Sequence, residues 1–153
     1  MKAFKRKSIR LKNFDYRDGY AYFITICTNE NKSYFKNTEF AIFIVNTIDY
    51  RIMLGEVTMY CYCIKPNHIH ILLSLNENYK KSLSVWISSF KRYITKIAKE
   101  KFNIPHVWQK NYYDHVVRTD ESLTKIAEYI LNNPVRRGLV NKWTEYPFSR
   151  LID

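Results

Sequence analysis

The stretch Pro66-Asn67-His68-Ile69-His70-Ile71-Leu72-Leu73 constrains the fold more than any other part of the chain. It is an apolar run bounded by Pro-Asn, which reads as a β-strand. Side chains alternate across a strand, so His68 and His70 fall on one face and Ile69, Ile71, Leu73 and Leu75 on the other. One face is suited to a core and the other to a site. Two imidazoles side by side on a rigid strand can give two ligands to one divalent metal. The same spacing also arises from ordinary polar positions on an exposed strand, so His-x-His alone does not assign the chemistry.

The neighbouring segments supply partners for this strand. Thr58 to Ile64 alternates in the manner of a second strand, and Lys65-Pro66-Asn67 is a short connection that makes the two an antiparallel hairpin. Tyr20 to Thr28, rich in aromatic and β-branched residues, reads as the first strand. A helix capped by Asn37 or Thr38 runs to Leu54, with Phe40, Ile44, Ile48 and Ile52 recurring every four residues and Gly55 ending it. A second helix, from a Ser82 cap to about Lys101, carries the stripe Leu83, Ile87, Phe90, Ile94 and Ile97. A short strand is expected around His115 to Arg118, followed by a helix capped by Asp120 with Glu121 in its first turn.

In that last helix Leu123, Ile126, Ala127 and Ile130 define the buried stripe. At ~100° per residue Tyr129 lies roughly 110° from the centre of that stripe, on the helix flank. Asn133 shares its face but precedes Pro134, so it is expected at a fraying helix end. The order strand, helix, strand, strand, helix, strand, helix matches an α+β, ferredoxin-like split βαβ arrangement. An antiparallel sheet of four to five strands would carry the helices, and an added C-terminal helix would carry the tyrosine. If that helix packs across the histidine face, Tyr129 comes to the metal.

The chain has 153 residues, enough for one domain, and 25 Lys and Arg against 14 Asp and Glu, a formal net charge of +11. We read residues 1–15 as a basic arm and 16–153 as a single domain. The charge points to a polyanionic partner. No apolar run approaches the ~20 residues needed to span a bilayer, and the basic N-terminus leads into no secretory apolar segment. A cytoplasmic, nucleoid-associated protein is expected, with no membrane partner, as a monomer or homodimer. Cys27, Cys61 and Cys63 include no C-x-x-C pair and suit a reducing compartment. The 13 tyrosines and 9 phenylalanines can fill a small core or stack on unpaired bases.

Four motifs in order, PNHIHILL, WQKNYYDHVVR, EYILNNPVRRGLV and the closing YPFS, resemble the REP-associated tyrosine transposases. These are relatives of the single-strand insertion-sequence transposases that carry the HUH motif, U being a large apolar residue. The resemblance covers roughly residues 16–150. It implies that His68 and His70 are metal ligands, that Tyr129 is the nucleophile and that Asn133 is the third ligand. It also implies Mg²⁺ or Mn²⁺ as cofactor, and hairpin-bearing single-stranded DNA as partner. The basic residues expected against DNA are Lys5, Arg6, Lys7, Arg10, Lys91, Arg92, Lys110, Arg118, Arg136 and Arg137. The sequence departs from the pattern at Lys65, where many relatives carry Met before Pro-Asn-His, and in ending at Asp153 without an extension.

The expected reaction is a metal-dependent transesterification in which tyrosine attacks a DNA phosphate and forms a 5′-phosphotyrosine link. A phenol with an unperturbed pKa of ~10 is a poor nucleophile at neutral pH, so it needs a polarised phosphate or help in losing its proton. Two alternatives differ in kind: a hydrolytic metallonuclease recruiting His106 or His115, and a non-catalytic nucleic-acid binder using the basic surface alone.

Salt dependence tests the polyanion reading. The affinity for single-stranded DNA should fall with a log–log slope of about −0.7 per contacted phosphate. Binding indifferent to salt in a titration monitored by fluorescence anisotropy would remove nucleic acid as the partner.

Overall fold

The computed structural model describes residues 20–152 except 119, without the side chains of residues 120 and 121. The expected basic arm, with Lys5, Arg6, Lys7 and Arg10, therefore lies outside the described residues. Five strands and three helices follow in the order β1 (Ala21–Cys27), α1 (Thr38–Met53), β2 (Val57–Lys65), β3 (His68–Leu75), α2 (Leu83–Lys101), β4 (Tyr113–Val117), α3 (Asp120–Arg136) and β5 (Ser149–Leu151). The sheet order is β4-β1-β3-β2-β5, and every pairing is antiparallel. The first four positions reproduce the expected split βαβ layout, with β3 at the centre. Strand β5 extends the sheet beyond β2.

Alternation along β3 divides the protein into two cores. Ile69, Ile71 and Leu73 point into the larger one, with Ile24 and Ile26 of β1 and the apolar stripes of α1 and α2. Leu72 points the other way, to Leu123, Ala127, Ile130 and Leu131 of α3. The last helix thus covers the histidine face. Each of its three fully buried large aliphatic side chains contributes roughly 1.5–3 kcal/mol, which fixes α3 on the sheet. A register shift in β2 between Met59 and Cys61 adjusts the parity of that strand. It sends Met59, Tyr62 and Ile64 to the first core and Tyr60, Cys61 and Cys63 to the second.

Local signals set the helix ends. Asn37 caps α1 by accepting from Phe40 N at 3.2 Å, Ser82 caps α2 by accepting from Val85 N at 3.3 Å, and Gly55 takes a φ of 75° just past α1. The expected cap at Asp120 falls on side chains outside the description. Lys65 belongs to β2, so the hairpin connection is only Pro66-Asn67.

Asn133 requires a correction. It does not sit at a fraying end: α3 continues through Pro134 to Arg136, and Asn133 is buried. A proline removes one ladder hydrogen bond, but the covered face of α3 keeps the last turn in place, and Arg137 N still donates to Asn133 O at 3.0 Å.

The closing segment fastens the outer edge of β2. Ile64 N donates to Phe148 O at 2.8 Å, and the Tyr146 hydroxyl donates to Ile64 O at 2.6 Å. Tyr146→Phe should leave that carbonyl unpaired and lower the unfolding free energy by about 1–2 kcal/mol in urea titrations. The exposed Tyr50→Phe serves as the unaffected control.

Candidate active site

The two histidine rings stand on β3 with centroids 4.6 Å apart. The turn that precedes them is pinned from outside the hairpin, because Thr28 N donates to Asn67 O and Phe35 N to Pro66 O, both at 3.0 Å. Each ring is also held through Nδ1: that of His68 lies 2.7 Å from Asn67 Oδ1, and that of His70 lies 3.0 Å from Thr25 Oγ1. An amide oxygen only accepts, so Nδ1 of His68 carries the hydrogen and its Nε2 keeps a lone pair. The register sets Thr25 opposite His70 and Lys65 opposite His68, so all four side chains share this face.

Tyr129 approaches from α3. Its ring centroid is 6.1 Å from that of His70 and 6.0 Å from that of Phe23, and Phe23 in turn meets His70 edge-on at 5.3 Å. The tyrosine is 48% exposed, as its position on the helix flank requires. One turn further on, Asn133 is buried and its Oδ1 has no hydrogen-bond partner. A buried amide oxygen without a donor is costly unless a ligand satisfies it.

Electrostatics keep the histidines neutral. Burial pushes His68 down to about 4, helped by the Lys65 and Arg137 charges. Burial pushes His70 down to about 3, helped by His68, Lys65, Arg136 and Arg137. Lys65 itself is 2% exposed, its Nζ has no hydrogen-bond partner, and it sits 5.6 Å from the centre of the Tyr146 ring. Burial lowers its pKa; the Cys63 thiol opposes that shift while Arg137 and Arg136 add to it. The site therefore combines neutral donors with a surrounding positive potential, an arrangement suited to an anionic ligand.

Other expected residues are dispersed. Lys91 and Arg92 are on α2, across the sheet from the histidines, and Lys91 Nζ donates to the carbonyls of Gln109, Lys110 and Asn111 at 2.8, 3.4 and 3.4 Å. Lys110 is exposed on the loop that Lys91 fastens. Arg118 lies over the Tyr20 ring at 5.3 Å, beyond the end of β4. Arg136 lies over Tyr129 itself, and Arg137 follows it at the end of α3. His115 pairs with Phe23, one strand removed from β3, and His106 lines a cleft on the α2 side with Ser88 and Thr95. Among the described residues no group of three or more His, Cys, Asp or Glu could hold a metal. The sequence does not mark Thr25, Asn67 and Lys65 as functional. A polar residue amid the apolar run of β1 and the Asn beside His68 were the available signals.

The model of the family described as transposase, IS200 like, matches residues 16–133. An uncharacterized protein of Haemophilus influenzae is 32% identical, and the alignment covers 85% of this chain and 88% of that protein. A REP-associated tyrosine transposase of Escherichia coli strain K12 is 27% identical over 58% of this chain, a match spanning 50% of that protein's length. Among solved structures, a REP-associated tyrosine transposase bound to a REP hairpin aligns over 92% of this chain and 82% of that one. The TM-score is 0.66 at 21% identity, a similarity of fold.

The neutral histidines link stability to pH in the metal-free protein. The unfolded rings take up protons near 6.5, whereas the folded ones do so only near 4 and 3. The unfolded state thus binds more protons across that window, and stability falls as pH drops below about 6.5. In chelator, the urea midpoint should decline through this range. The decline should be shallower in the double variant His68→Gln, His70→Gln; equal slopes would contradict the neutral burial of the rings.

Proposed function

Since this chain belongs to the IS200-like transposase family, we propose that it is a single-strand DNA transesterase whose nucleophile is the hydroxyl of Tyr129. The observation that carries this reading is the approach of the Tyr129 ring to within 6.1 Å of the His70 ring, with half its surface open to a substrate. In the reaction the tyrosine oxygen forms a bond to phosphorus as the bond from phosphorus to the 3′ oxygen breaks. The products are a 5′-phosphotyrosine link and a free 3′-OH, to which the phenolic proton passes through solvent. The phosphodiester is conserved in the link, so the strand can be rejoined to another 3′-OH without an energy-supplying cofactor.

Nε2 of His68, Nε2 of His70 and Oδ1 of Asn133 would hold Mg²⁺ or Mn²⁺. The unpartnered, buried Asn133 oxygen fits that role, and imidazole donors favour Mn²⁺. Held there, such a cation would supply Lewis-acid polarisation of a phosphate oxygen. The protein's own contribution is to hold both rings at Nδ1 through Thr25 and Asn67, which leaves the second nitrogen of each ring available as a donor. Lys65, Arg136 and Arg137 bring positive charge to the place where a phosphate arrives. The hairpin bound by the structural relative supports a hairpin-bearing single strand as the substrate.

Incubation with a labelled hairpin-bearing single strand should give an adduct that survives denaturation. Tyr129→Phe should abolish it with stability changed by less than about 0.5 kcal/mol, while Tyr112→Phe and Tyr113→Phe retain it. His70→Ala should abolish the adduct and keep most DNA binding. Cleavage by the Tyr129→Phe protein would replace this reading with hydrolysis.

A further inference from the structure

Resting on that reading of Tyr129, we infer that Arg136 is a positioning residue for the nucleophile rather than a contact to the DNA backbone. Its guanidinium carbon lies 4.3 Å from the centre of the Tyr129 ring, within cation–π distance, and its Nη2 donates to the Tyr129 carbonyl at 2.6 Å. One side chain thus grips the tyrosine at its ring and at its backbone.

The local sequence makes this grip possible. The two residues are seven apart, so they lie on the same side of α3. Between them stands Pro134, which has no N–H to donate to the carbonyl four positions earlier, that of Ile130, so the Tyr129 carbonyl held by Arg136 is its neighbour in the same turn.

The tyrosine requires such a restraint. It is 48% exposed on a helix flank, and its other ring neighbours, Phe23 and His70, touch it edge-on from the sheet side. An exposed ring exchanges rotamers rapidly, and only the one facing the histidines puts the hydroxyl near the phosphate. Arg136, itself exposed, adds a third contact to the ring and leaves about half of the residue open to a substrate. The guanidinium is the better group for this than an ammonium, since it is planar and can stack and donate together.

The test uses the full chain with Mn²⁺ and a labelled hairpin-bearing single strand under single-turnover conditions. DNA affinity is measured in chelator across salt concentrations, and the ring signals of ¹³C-labelled tyrosine are followed by NMR with Tyr129→Phe as the assignment. Arg136→Ala should slow adduct formation at saturating DNA by about 10–100-fold, shift the Tyr129 ring signal and leave the salt slope unchanged. Arg136→Lys should recover part of the rate, and it keeps the test valid if the alanine variant unfolds. A salt slope smaller by about 0.7 with the saturating rate intact would make Arg136 a phosphate contact and overturn the inference. An unmoved Tyr129 signal, whatever the rate, overturns it too. Failure of the unsubstituted protein to form any adduct would strike the transesterase reading alone, because the NMR measurement on the DNA-free protein still decides the role of Arg136.

Discussion

The antiparallel pairing of β3 with β1 on one side and β2 on the other is the constraint on which the rest of the structure depends. Because every side chain of a strand is assigned to a face by parity, the pairs Thr25 with His70, Cys63 with His70 and Lys65 with His68 are fixed once the hairpin turn Pro66-Asn67 closes. A slip by one residue would send both histidines into the α1 and α2 core and bring Ile69 and Ile71 to the site. Sheet register and site geometry are thus the same physical fact. The buried core of Ile69, Ile71 and Leu73 penalises any alternative pairing.

Placing α3 over the same face gives the site its second wall. The helix is attached by its aliphatic stripe and continues through a proline because its covered side leaves no room to unwind. This puts the flank residue Tyr129 and the buried Asn133 on one rim. Covering the histidine face has an electrostatic consequence: imidazoles that would titrate near neutrality in water stay uncharged, and Lys65 is buried without a hydrogen-bond partner. Burial acts likewise on the neighbouring thiols, raising Cys63 to about 12 and Cys61 further, so neither is a ready nucleophile or metal ligand. The reactive groups left at the rim are the phenol and the two imidazoles.

The sequence by itself determined whatever depends on neighbours along the chain: the helix cap at Ser82 and the choice of Asn37 or Thr38 for the first helix, the turn at Gly55, the alternation of β3 and the flank position of Tyr129. These follow from backbone geometry and the period of each element, which need no tertiary partner. Only the tertiary structure decided that α3 lies on the histidine face, that Tyr60 and Cys61 face it together across a register shift, that Lys91 fastens a loop and that Arg136 stacks on Tyr129. It also decided against a frayed end at Asn133. Each of these depends on which surfaces meet, and that choice is made by the burial of side chains far apart in the chain, whose pairing no local period encodes.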